Sequence, residues 1–490
     1  LGNLEVQAAQ QAAMALRPFS GRTVGSLKAS QLKLSAVEDI SVSIPIAADS
    51  LVMTSKEGGI SVALANIVTV AGAAEVKALG DVELAGAAHA FGGKLTVAGA
   101  AVQVRDADTL TLDIVASGPA TVQTAGLLSL DAVTQSAQGL APLTLTAGAL
   151  DIRKIDADGK LTVNVNGSVT QSAGTVSVTG ASDIVAGSGS VSLNRTGNQF
   201  SGPVSITTSG AVSLSDTDNI DLALSGVATA TLSSGGAINV GVSNLAKEFV
   251  ASVEAAGAVT VINAGGGIAI GGKVTGSSGR LDLQPKSSAG VRFTGLSIAG
   301  DLDLEVGGAI SQTGALTVAG STSIISLGQS VTLNNSGNDF SGKVEVRGSA
   351  VSVKDLNDLD LSFTALNEVA IEAGGALFAA GSVTNAGKSL QLKSGKAMTL
   401  GAINAPGALS LSSGGAITQA SGALTVSGAT TVTANGQVVD LDAAANRFGG
   451  AVNVSGAQVS LRDTDAMQVS LNATGATTLT ALGAMQISGS

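Results

Sequence analysis

The chain has 490 residues, 44% of them hydrophobic, with 65 glycines, nine phenylalanines and no Trp, Tyr or Cys. Only 12% are charged, and 25 basic against 36 acidic residues leave a net charge of −11. This balance excludes a disordered chain, disulfides and thiolate sites, and it argues against nucleic-acid binding, which needs clustered Lys/Arg and often stacking rings.

The apolar surface must then be buried by Val, Leu, Ile and Ala, which points to a repetitive all-β chain with thin layers. No charged n-region and apolar h-region open the chain, so the expectation is a segment of something longer. Residues 1–50 read as a separate N-terminal segment. Within it, residues 4–16 (LEVQAAQQAAMAL) are rich in helix formers and are followed by Pro18. A short helix is expected there, serving as a cap or as a docking region.

From residue 51 to 490 one pattern recurs four times. Val82-Glu-Leu84 leads to His89-Ala-Phe91, and Val191-Ser-Leu193 leads to Asn198-Gln-Phe200. Val331-Thr-Leu333 leads to Asn338-Asp-Phe340, and Val439-Asp-Leu441 leads to Asn446-Arg-Phe448. The phenylalanines lie 109, 140 and 108 residues apart, which predicts four units of about 110–140 residues. A second phrase precedes the last three: Val169-Thr-Gln171, Ile310-Ser-Gln312 and Ile417-Thr-Gln419. The 31 residues added between Phe200 and Phe340 are not a whole number of coils, so an irregular coil or outward loop is expected there.

Inside each unit the apolar–polar–apolar triplet returns after 20 or 21 residues, as Val102-x-Val104, Val212-x-Leu214, Val351-x-Val353 and Val459-x-Leu461. Such triplets place two side chains on one face and one on the other. The reading is a β-solenoid: coils of about 20 residues stacked into an elongated rod of about 100 Å, each burying its apolar face on its neighbours. A string of immunoglobulin-like sandwiches would fit the long period. It fits the short one poorly, and it expects a core Trp or a tyrosine corner, which this chain cannot supply. The most apolar stretch, residues 258–272, is broken by Asn and Gly and is too short to span a membrane as a helix.

Four groups of residues are candidates for chemistry. His89, the only histidine, stands in the slot of Asn198, Asn338 and Asn446, so a hydrogen-bonding turn role outweighs catalysis. The acidic pairs Asp106/Asp108, Asp216/Asp218, Asp355/Asp358 and Asp463/Asp465 follow the triplets at one phase. They read as Asx-turns, with weak Ca²⁺ coordination or acid–base catalysis as alternatives. Asn194, Asn198, Asn334, Asn338 and Asn446 suit corners with a left-handed backbone. Phe91, Phe200, Phe340 and Phe448 are expected to plug the lumen or to lie beneath a loop. No catalytic residue and no cofactor is assigned.

The phrases Asn338-Asp-Phe340-Ser-Gly-Lys-Val344, Val212-Ser-Leu214-Ser-Asp216 and Gly415-Ala-Ile-Thr-Gln419-Ala-Ser-Gly-Ala-Leu424-Thr-Val426 resemble the repeat regions of filamentous-haemagglutinin-like bacterial exoproteins, secreted by two-partner or related routes. The resemblance covers roughly residues 60–490. It implies a right-handed β-helix on the bacterial surface or in the extracellular space, serving as a stalk or fibre in adhesion, aggregation or biofilm matrix. Partners would be other copies, side by side or end to end, or a surface polysaccharide or receptor met through regions outside this segment. Neither the secretion domain of such proteins nor an effector domain is recognisable. A β-helical protein that binds or processes polysaccharide is the alternative, and the lack of Trp and Tyr counts against it.

Overall fold

The structure is a computed structural model that describes residues 2–8, 12–17, 26–136, 141–276, 279–420 and 422–489. The chain divides into two units, Leu1–Leu245 and Ala246–Ser490. Each is a β-solenoid, with coils of about 20 residues and no helix among the described residues. The triplets recognised in the sequence stack directly: Val82 pairs with Val102, Val191 with Val212, Val331 with Val351 and Val439 with Val459, all in parallel.

Strand formation follows from alternation. In Val331–Leu333 the valine and leucine point inward and are fully buried, while Thr332 points outward. Each buried aliphatic contributes roughly 1.5–3 kcal/mol, and the neighbouring coils supply the burying surface. Glycine takes corners where successive coils touch. A Cβ on Gly202 would lie 2.6 Å from the backbone of Gly180 one coil earlier, and Gly180 stands in the same relation to Gly159. That closeness leaves no room for a side chain.

The N-terminal expectation is corrected. The described residues of 4–16 lie in or beside the strands Asn3–Gln7 and Met14–Leu16, not in a helix, while residues 9–11 and Pro18 fall outside the described residues. Asn3–Gln7 pairs with Leu27–Ala36, which pairs in turn with Ile46–Ser55. Helix propensity is a weak prior, and the inward side chains of a neighbouring coil override it. A boundary at residue 50 therefore cuts through a strand. The residues between Phe200 and Phe340 also form regular strands in both units, and no outward loop appears among those described.

The long period is not a whole number of coils. In the first unit the triplet before Phe91 lies in one sheet and that before Phe200 in the other. In the second unit the triplets before Phe340 and Phe448 likewise lie in opposite sheets. A spacing of 108 or 109 residues thus corresponds to about five and a half coils of this length, and successive copies face opposite ways.

Candidate functional site

One arrangement recurs at each phenylalanine, and it starts with a strand that opens as the stack is climbed. Leu127–Gln135 is continuous, with a bulge. The next coil carries two strands in its place, Ala149–Ile152 and Ile155–Ala157. Above these come Val169–Gln171 with Val176–Val178, and then Val191–Leu193 with Gln199–Phe200. The gap between the paired strands widens at each step and is filled at the top by residues 194–198.

Asn198 holds this gap together. Its Nδ2 donates to the Leu193 carbonyl at 3.0 Å and to Gln171 Oε1 at 2.8 Å. Its Oδ1 accepts from Gln171 Nε2 at 2.8 Å and from the Val176 N–H at 2.9 Å. One coil further on, Asp216 Oδ2 accepts the Phe200 N–H at 2.9 Å, and Oδ1 accepts the Asp218 N–H at 2.8 Å. Gln171, Asn198 and Asp216 thus form a polar bracket across three successive coils.

The bracket repeats almost unchanged in the second unit. Asn338 joins Gln312, the Leu316 N–H and the Leu333 carbonyl, while Asp355 receives the Phe340 and Asn357 N–H groups. Asn446 joins Gln419, the Leu424 N–H and the Leu441 carbonyl, with Asp463 on the Phe448 and Asp465 N–H groups. Phe91, Phe200, Phe340 and Phe448 are all buried inside the coil just past the gap.

The first copy departs from the rule. Asp106 still accepts the Phe91 and Asp108 N–H groups, both at 2.8 Å. By register with the next copy, Val62 stands where Gln171 does, and His89 replaces the asparagine. The fully buried His89 faces the Val68 N–H with Nδ1 at 3.0 Å and the Gly86 N–H with Nε2 at 3.1 Å. A neutral imidazole has one lone-pair nitrogen, so it serves one of these donors at a time. Burial pushes its pKa down to about 4, which keeps it neutral.

The acidic pairs do not act as pairs. Asp106, Asp216, Asp355 and Asp463 are buried, with both oxygens engaged by backbone N–H groups, whereas Asp108, Asp218, Asp358 and Asp465 are exposed. Burial raises the carboxyl pKa of Asp106, Asp216 and Asp355, against the opposing pull of their N–H partners. Among the described residues no group of three or more His, Cys, Asp or Glu side chains gathers to hold a metal ion.

The asparagine reading is corrected too. Among the described residues only Asn244 and Asn435 combine a side chain with a positive φ. Asn198, Asn338 and Asn446 are fully buried and are retained for their amides, while Asn194 and Asn334 are exposed. The glutamines were visible in the sequence as part of a shared phrase, but without a role. Their spacing of 26 or 27 residues ahead of each asparagine was the signal.

Coils of parallel strands, joined at intervals by a buried amide–carboxylate bracket, define a repeat protein of the β-solenoid class. The family model described as repeats of unknown function (DUF5649) matches residues 26–98, 140–207, 278–347 and 387–455, more than half of the chain, and the chain belongs to that family. Each match ends seven residues past its repeat phenylalanine, so the Gln–Asn part of the bracket falls inside and the aspartate just beyond. In comparisons with curated proteins and with solved structures, nothing matched.

Proposed function

We propose that this chain is a non-enzymatic structural segment, a stalk or fibre of a bacterial surface adhesin whose task is to set distance in adhesion, aggregation or matrix scaffolding. The observation that carries this reading is the bracket. The only strongly recurrent polar residues of the chain direct their hydrogen bonds at their own coils, and they return at the same phase in four copies. A reaction centre needs one cluster aimed at a substrate, whereas a scaffold needs the same joint many times. Localisation at the cell surface, and association with other copies, belong to the same proposal and rest on the resemblance to exoprotein repeats.

An in-phase deletion tests it. Removing residues 341–448 joins Phe340 to Gly449, so that one bracket replaces two. The shortened chain is expected to remain folded, with a melting midpoint within about 5 °C of the parent, since repeat proteins are stabilised by nearest neighbours. Cells displaying it are expected to retain aggregation. Complete loss of aggregation by a folded deletion product would assign a unique active region to residues 341–448 and contradict the scaffold reading.

A further inference from the structure

Comparing equivalent coils of the two units exposes one place where the repeat has been rebuilt. After Phe91 the outer face of one sheet carries a ladder of charges on successive coils. Lys94 pairs with Asp113 at 2.6 Å and with Asp131 at 2.9 Å, and Asp131 pairs with Arg153 at 3.3 Å. After Phe340 the register places Lys343, Ser362, Ala380 and Gly401 at these four positions. The pairing partners have been replaced by small residues. Two depressions of about 550 and 440 Å³ lie side by side across the strands Leu359–Ala365, Leu377–Val383 and Met398–Ala405, where the pairing register also shifts.

Three further replacements border this hollow. Phe378 stands where the first unit has Ser129, Glu345 where it has Thr96, and Asp360 where it has Thr111. Phe378 is the one phenylalanine among the described residues that is not buried. Gly401 gives it room: a Cβ there would lie 2.8 Å from Ala380 Cβ and 3.4 Å from the tip of the Phe378 ring. Glu345 and Asp360 are exposed and carry no ion pair among the described residues.

We propose that this groove on the outer face of the second unit binds an extended, neutral β-linked glycan. The apolar C–H face of a sugar ring packs on Phe378, and sugar hydroxyls donate to the Glu345 and Asp360 carboxylates in charge-assisted hydrogen bonds. The hollow has the size of a small-ligand site and is open along the strands, so a chain passes through it and is not enclosed. The two carboxylates disfavour acidic sugars by like-charge repulsion. The groove is separate from the bracket and adds a lateral contact to a scaffold.

Isothermal titration calorimetry of the full chain at neutral pH, with cellohexaose, laminarihexaose and chitohexaose as probes, tests the assignment. At least one probe is expected to bind. Phe378→Ser, which installs the residue of the equivalent coil, and Glu345→Gln are each expected to weaken it tenfold or more with an unchanged melting midpoint. Absence of binding by all three probes would overturn the proposal, as would equal affinity in both variants. Hexalysine binding that Glu345→Gln abolishes, with no glycan bound, would assign the groove to a basic protein segment and overturn it as well.

Discussion

His89 occupies an amide's position without an amide's chemistry, and that makes it the acid-sensitive point of the chain. Its ordinary pKa of about 6.5 applies when unfolded, whereas the buried ring has a pKa of about 4. Between these values the unfolded chain binds more protons, so stability falls as pH falls from about 6.5 towards 4. The loss is on the order of 2 kcal/mol. The raised carboxyls of Asp106, Asp216 and Asp355 act in the opposite sense: there the folded state binds the proton more tightly, so acidification just above their ordinary value stabilises it. His89→Asn isolates the histidine contribution, because Asn198 shows that an amide oxygen at this position accepts the neighbouring N–H. Urea unfolding of the two proteins at pH 7 and pH 4.5 should show the wild type losing more stability than the variant on acidification. Equal losses would mean that His89 is not held neutral by the fold.

At the scale of the element, the bracket explains how a strand is opened and closed without leaving buried polar groups unserved. Residues 334–338 separate two short strands of one coil, and the Asn338 side chain replaces the backbone bonds that a continuous strand would have made. Asn338→Ala leaves the Leu316 N–H, the Leu333 carbonyl and Gln312 without this partner, at a cost of about 2–4 kcal/mol. Amide exchange at Leu316 and Phe340 should accelerate at least tenfold in this variant. Asn338→Asp should not restore protection, since a carboxylate cannot donate to the carbonyls of Leu333 and Lys354. Unchanged exchange in Asn338→Ala would reduce the asparagine to a passive filler.

Much of this level could be read from residue spacing alone. The triplets Val191–Leu193 and Val212–Leu214 stack because a period of about 20 in inward aliphatics is one coil, and that period stands in the sequence. The role of Asn198 was misplaced because a corner asparagine and a buried amide hub look alike in one dimension. Which backbone groups lack partners is a property of three coils together. The N-terminal residues misled for the same reason: Ala and Gln favour a helix in isolation, yet Val6 pairs with Leu34 in the neighbouring strand. The groove beside Phe378 was illegible because it is defined by what is missing from equivalent positions, and those positions align only once strand register is known.

For the whole molecule, 44% hydrophobic content with a single outward-facing phenylalanine among the described residues is what a stack of narrow coils requires. Aliphatic layers fill a thin lumen, and the recurrent Phe91, Phe200, Phe340 and Phe448 mark the coils that carry a bracket. A scaffold of this kind has length as its product, and extension is the property that separates it from a folded enzyme domain of equal mass. Negative-stain electron microscopy of the full chain measures that property directly. The account predicts thin rods on the order of 100 Å long, at one strand spacing of about 4.8 Å per coil. Compact globules would contradict it.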